Sequence, residues 1–244
     1  MTKKLIYMVA IDHESSRIKN SDYAQWSIAS WELYCKKYGF DFVVIRESQL
    51  TRPIWQKSMI YEHGHGYDFI GIVDSDTIVS PNTPDVSTDK GNGFYAVYDL
   101  CDFNWVMQSI KDRQRFFPNV ELDLMKYFNA GVLFFSAEYL TLFKDFLDFV
   151  MQNEAEIEKI QGGGKEQTLL NFFVQKHGIK VNFLQSEWNL MSIHKKNMFT
   201  HNWQLNVDQT PHFIKYAYVW HFTGFPIEQR AEIMEKTFKF VYPS

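Results

Sequence analysis

The chain has 244 residues, 45% apolar and 17% aromatic, with a formal net charge of −4 and a pI near 6.1. That is enough for one large α/β domain with a sizeable core; with no Lys/Arg block, nucleic acid is excluded as a partner. No apolar run reaches the ~18 residues of a membrane span, and Cys35 and Cys101 stand in no metal-type or disulfide spacing, which fits a reducing, cytoplasmic setting.

Residues 5–11 begin with Leu5-Ile6-Tyr7-Met8-Val9-Ala10 behind two lysines. Asp12, His13 and Glu14 end that run too soon for a signal peptide, so it reads as a first buried strand. Ser21-Asp22 offers a helix cap, and Ala24, Ile28, Trp31, Cys35 and Tyr38 follow at alternating spacings of four and three, closed by Gly39. This is one apolar helix face with a glycine stop. Residues 41–45 form a second strand. Pro53 suits a first helical position, and the helix it opens runs through Trp55 and Met59 to about residue 61, ended by Gly64 and Gly66. Residues 67–73 form a third strand. The β-α-β-α-β alternation predicts a parallel sheet with right-handed crossovers.

Beyond Ser80, Pro81 and Pro84 mark a loop. Residues 93–98 read as a strand ending in Asp99, residues 102–126 as mixed helix and loop, and residues 127–135 as an apolar strand. Leu140, Phe143, Leu147 and Val150 lie on one helix face. Gly162-Gly163-Gly164 reads as a flexible hinge before a helix that begins near Glu166, and residues 179–184 as another strand. From Asn202 onward the chain is rich in aromatics, with a polar helix over residues 226–239. There is no internal repeat or long linker, so a single domain is expected.

The most informative stretch is Phe69-Ile70-Gly71-Ile72-Val73-Asp74-Ser75-Asp76, where an apolar run stops in two carboxylates. Residues i and i+2 of a strand point to one side, so Asp74 and Asp76 aim together where the strand leaves the core. Like charges this close raise each other's pKa, and a divalent cation removes that penalty. Oxygen ligands favour a hard ion such as Mg²⁺ or Mn²⁺, commonly shared with substrate phosphates. Asp is also a common turn and cap residue. In open α/β sheets ligands sit at the carboxyl ends of strands, which places Asp12 and the Asp pair at one site.

Other segments carry weaker signals. Gly131, within Asn129-Ala130-Gly131, marks either a bulge or a close approach of ligand. Glu166-Gln167 opens a helix, whose positive end suits anions and polar ligands. His221 is either a core histidine between Trp220 and Phe222 or a metal ligand. Lys57 faces the strand ends from the second helix, as a solvated lysine or a ligand contact. Gly162-Gly163-Gly164-Lys165 lacks the phosphate-loop spacing, and His63-Gly64-His65 reads as a helix end.

Four pieces in order, Val73-Asp74-Ser75-Asp76, Phe128-Asn129-Ala130-Gly131-Val132, Glu166-Gln167-Thr168-Leu169-Leu170-Asn171 and His221-Phe222-Thr223-Gly224, resemble the motifs of GT-A fold glycosyltransferases. The likeness is to family 8, which includes glycogenin and bacterial galactosyltransferases; Ala10-x-Asp12 is a fifth, weaker match. The resemblance implies a mixed, mainly parallel Rossmann-like sheet flanked by helices, with residues 1–100 as a nucleotide-binding half and 101–244 as a sugar- and acceptor-binding half. It also implies a nucleotide-sugar donor, most often UDP-linked, and Mn²⁺ (or Mg²⁺) held by Asp74, Asp76 and His221. Donor contacts would come from Ala10, Asp12, Lys57, Ser75 and Gly224, and sugar contacts from Asn129, Glu166 and Gln167. Family 8 places a phosphate-contacting Lys shortly after H-F-x-G; here Phe225 to Arg230 has none, and Arg230 is the candidate substitute, at a different spacing.

The expected activity is transfer of a monosaccharide to a glycan or other hydroxyl acceptor, with retained configuration. Acceptor choice is assigned to loops 100–126 and 190–215. Two rivals are weighed. A haloacid-dehalogenase-like phosphatase carries D-x-D on the first strand with Thr or Val two residues beyond, where this chain has Ile78. The other is a non-catalytic module that binds glycan or nucleotide.

Overall fold

A computed structural model describes residues 2–12, 21–88, 90–99, 102–191 and 216–243. In chain order the elements are β1 (Lys4–Val9), α1 (Ser21–Tyr38), β2 (Asp41–Ile45), a 3₁₀ turn (Pro53–Met59) running into α2 (Ile60–His63), β3 (Phe69–Asp74), β4 (Thr77–Val79) and β5 (Phe94–Tyr98). There follow α3 (Phe103–Arg113), β6 (Phe128–Ser136), α4 (Leu140–Glu158), α5 (Lys165–Lys176), β7 (Val181–Phe183), β8 (Val219–His221) and α6 (Ile227–Val241).

Six strands form one sheet in the order β2-β1-β3-β6-β5-β7. β1 pairs parallel with β2 and β3, and β5 with β7, while β6 runs against both of its neighbours. The sheet is therefore mixed and mainly parallel, as expected. Period-two alternation feeds two cores. Leu5 and Tyr7 of β1 join the cluster under α2, α4 and α5, whereas Ile6 and Met8 join the cluster under α1 and α6. Strands buried on both faces read as continuous apolar runs for this reason.

α1 matches its periodicity. Ala24, Ile28, Trp31 and Cys35 are buried, and Gly39 takes the left-handed φ of +69° that ends the helix. The segment from Pro53 differs: it is a 3₁₀ turn with only one α-helical turn after it. β1 stops at Val9, two residues short of expectation. The small sheet of β4 and β8 was not foreseen; three-residue strands are too short to show a period.

The Gly162–164 segment is not a loose hinge. Gly162 and Gly164 have φ of +92° and +73°, the buried guanidinium of Arg113 donates to the Gly163 carbonyl at 3.0 Å, and a Cβ at Gly164 would lie 2.5 Å from Trp105. The glycines serve conformation and close packing. The aromatic stretch 202–215 and most of the 190–215 loop lie outside the described residues, as does Cys101. Among the described residues no helix is long and apolar enough to cross a membrane.

Aromatic packing dominates the larger core. Phe143 of α4 is 2% exposed, with its ring centroid 4.7 Å from Phe135 and 6.4 Å from Phe94. Phe143→Ala should cost about 3–5 kcal/mol, seen as a lower urea midpoint at unchanged slope.

Candidate functional site

The parallel pairing of β1 and β3 sets Val9 beside Asp74, so both strands open at the same edge. β6 runs the other way, so its first residues, Phe128 to Gly131, reach that edge too. β8 adds the last group. Its pairing places His221 opposite Thr77, and Phe222 N–H donates to the Asp76 carbonyl at 2.8 Å. The turn after β3 is pinned because Thr77 Oγ1 donates to the Asp74 carbonyl at 2.6 Å and receives Trp31 Nε1–H at 2.9 Å. Asp74, Asp76 and His221 each thereby offer a ligand atom, all within 4.8 Å of one another.

A chain of hydrogen bonds orients the imidazole. The Gly131 N–H, which can only donate, reaches Asn129 Oδ1 at 2.9 Å. Asn189 Nδ2 donates to the same oxygen at 2.9 Å. Asn189 Oδ1 then faces His221 Nδ1 at 3.0 Å, so Nδ1 carries the proton. In the neutral ring this leaves the lone pair on Nε2, which lies 3.2 Å from Asp76 Oδ1 and 3.7 Å from Asp74 Oδ2. Metal-ligating histidines are fixed by a partner on the other nitrogen in just this manner. Two carboxylates and one imidazole, converging on a small volume, fit a divalent cation.

At Gly131 the structure shows a bulge, and what approaches closely is protein side chain rather than ligand. The pairing of β5 with β6 slips here, Ala96 facing Leu133 while Val97 faces Asn129. A Cβ at Gly131 would overlap His221 Cε1 and lie 2.8 Å from Asp74 Oδ2. Only a hydrogen fits beneath His221 and Asp74.

Charge at the site is balanced by two protein cations. Lys57 Nζ lies 2.5 Å from Asp74 Oδ1 and 3.1 Å from Glu166 Oε2, so it is no solvated lysine. Arg230 Nη1, from the first turns of α6, lies 3.1 Å from Asp76 Oδ2. Burial would raise the Asp76 pKa, but without a metal a proton on His221 Nε2, together with Arg230 and Lys57, outweighs it and holds the carboxyl well below the usual range; a metal would take the place of that proton. Burial pushes Glu166 up to about 7, opposed by Lys57 and reinforced by Asp74. Burial pulls Lys57 down, yet Asp74 and Glu166 hold it above the ordinary lysine value. The like-charge penalty read from the Asp pair is thus already relieved by side chains, and the case for a metal rests on ligand geometry instead.

Gln167 sits in a second network. Its Oε1 accepts from Asn129 Nδ2 at 3.0 Å and from Ala130 N–H at 3.2 Å, and its Nε2 donates to Asp99 Oδ2 at 2.6 Å. Asn129 touches both networks, joining the imidazole to Gln167. Asn129, Ala130, Gln167 and His221 border a cleft of about 410 Å³ whose walls include Ile11, Ser75, Glu166 and Thr223. Of the other expected residues, Ala10 is buried with its N–H on the Ile45 carbonyl, Asp12 is exposed just beyond β1, and Gly224 makes an exposed turn at φ +73°.

Sequence reasoning missed Asn189 and gave Asp99 no role. Asp99 ends β5 and so falls under the same strand-end rule that singled out Asp74; Asn189 carries no signal of its own. The spacing that makes Arg230 a poor substitute for the family's lysine does not reveal its pairing with Asp76.

No family model and no curated protein matches the chain. Solved structures do. A glycosyltransferase involved in the glycosylation of the major capsid of PBCV-1 matches 96% of this chain and 99% of its own, at 16% identity and a TM-score of 0.61. The galactosyltransferase LgtC, solved with donor and acceptor sugar analogues, matches over 98% and 97%, at 15% identity and a TM-score of 0.54. WbbM, a bifunctional glycosyltransferase, matches 99% of this chain and 50% of its own, at 14% identity and a TM-score of 0.61. The chain therefore has the GT-A fold and resembles the family 8 enzymes in architecture as well as in motif order.

Two substitutions test the ligand geometry. Asn189→Ala should weaken Mn²⁺ binding about 10–100-fold without unfolding the chain, read by electron paramagnetic resonance of free Mn²⁺. Gly131→Ala should displace His221 and lower Mn²⁺ affinity at least as much; unchanged affinity in both variants would refute the site.

Proposed function

We propose that the chain is a metal-dependent glycosyltransferase that moves a monosaccharide from a nucleotide sugar, UDP-linked, to a hydroxyl acceptor such as a glycan, with retention of configuration. The observation that carries this reading is the convergence of Asp74, Asp76 and His221 at the strand ends, with Nε2 turned toward the carboxylates. The GT-A fold supports it. Residues 1–100 would serve the nucleotide and residues 101–244 the sugar and acceptor. Buried, free Cys35 accords with a reducing, cytoplasmic setting.

A divalent ion held by Asp74, Asp76 and His221 would neutralise the departing diphosphate as a Lewis acid, and the imidazole favours Mn²⁺ over Mg²⁺. The remaining work falls to side chains. Lys57 brings a fixed positive charge to the same edge and holds Glu166 in place. Ala10, Asp12, Ser75 and Gly224, at the ends of β1, β3 and β8, would contact the donor. Gln167, its amide orientation set by the Ala130 N–H, would sit with Glu166 and Asn129 against the transferred sugar.

Among the described residues around the cleft, the carboxylates of Asp74, Asp76 and Glu166 are tied to cations and that of Asp99 to Gln167, so none of these four stands ready as a nucleophile. We therefore favour attack by the acceptor on the face that the diphosphate leaves, the leaving phosphate taking the acceptor's proton. Asp76→Asn should lower Mn²⁺-dependent hydrolysis of UDP-sugars at least ~100-fold, measured by UDP release; activity equal to the parent protein's would overturn the proposal.

A further inference from the structure

The four oxygens of Asp74 and Asp76 are divided between two kinds of partner. The inner pair, Asp74 Oδ2 and Asp76 Oδ1, faces His221 Nε2 at 3.7 and 3.2 Å. The outer pair is held by cations, Asp74 Oδ1 by Lys57 at 2.5 Å and Asp76 Oδ2 by Arg230 at 3.1 Å. Both cations are built into the fold. Lys57 is part-buried and braced by Glu166. The Arg230 guanidinium lies 5.3 Å from the ring centre of Tyr23 on α1. A metal can therefore take the inner atoms without evicting either cation.

The electrostatic consequence is definite. Among the described residues, and with His221 neutral as a metal ligand must be, the two aspartates and the two cations cancel, and Glu166, even when ionised, adds only a single negative charge. A divalent ion on the inner atoms turns the corner net positive, with two like charges a few ångströms away. Like charges at such distances still repel appreciably at an effective dielectric near 20. We infer that Arg230 and Lys57 keep the affinity for bare metal low, and that a diphosphate relieves the excess charge, so that metal and diphosphate bind in strong positive linkage. Arg230 also keeps a donor in reserve, because its buried Nε has no hydrogen-bond partner among the described residues. The diphosphate as second ligand rests on the transferase reading; the opposition between fixed cations and metal does not.

The test measures Mn²⁺ binding by electron paramagnetic resonance and UDP binding by calorimetry, each with and without the other, after correction for Mn²⁺–UDP association in solution. In the wild-type protein UDP should tighten Mn²⁺ binding by about tenfold or more, and Mn²⁺ should tighten UDP by the same factor, as linkage requires. Arg230→Gln should bind Mn²⁺ alone about fivefold tighter or more, and its linkage factor should fall correspondingly. Arg230→Lys, which keeps the charge, should stay near wild type. Absence of linkage in the wild type overturns the inference while leaving the transferase reading intact, as does unchanged or weaker binding of bare Mn²⁺ in a folded Arg230→Gln protein. If UDP fails to bind at any Mn²⁺ concentration, the transferase reading falls and the linkage with it.

Discussion

The site depends on one short pairing. Thr77–Val79 against Val219–His221 is a ladder of three residues on each side, yet it brings a late histidine onto a carboxylate pair fixed at the end of β3. Backbone hydrogen bonds contribute only about 1 kcal/mol each in net terms, too little to close so long a loop unaided. Burial supplies the rest. Ile78, Val79, Val219 and Trp220 are fully enclosed, each worth about 1.5–3 kcal/mol, and Tyr242 beyond α6 donates to the Val79 carbonyl at 2.8 Å. The ligand geometry is thus sustained by apolar packing one residue away from it.

Asn129 links the two ends of the cleft. One side of its amide receives Gly131 N–H and Asn189, and the other donates to Gln167 and Asp99. The same buried side chain therefore sets the tautomer of His221 and the orientation of Gln167. Such networks hold a single arrangement because any flipped amide would leave buried donors facing donors. One side chain proposed to bind the sugar thus positions both a proposed metal ligand and a second sugar contact.

Most of the fold was legible in the sequence because its signals were long. α1 shows five apolar positions on one face and a glycine stop, and both of its ends were read closely. β3 announces its end with two carboxylates, and that abrupt change located the site. β4 and β8 escaped because three residues show no period. Asn189 escaped because a buried asparagine in a turn looks like any other. The charge balance escaped for a different reason: that Lys57 and Arg230 meet the two aspartates is a tertiary fact, and spacing alone judged Arg230 misplaced. The close approach at Gly131 was visible as a possibility, but only the histidine above it explains why no larger residue fits.

The direction of synthesis adds a consequence to the β4–β8 pairing. His221, Thr223, Gly224 and Arg230 emerge from the ribosome after the other groups described at the cleft. The six-stranded sheet can assemble before they arrive, since its last strand is β7, and domains commonly begin to fold while still being made. A nascent chain would then hold a formed sheet with an incomplete metal corner, inert toward donor until β8 docks. Competence for chemistry would arrive as a late event in maturation.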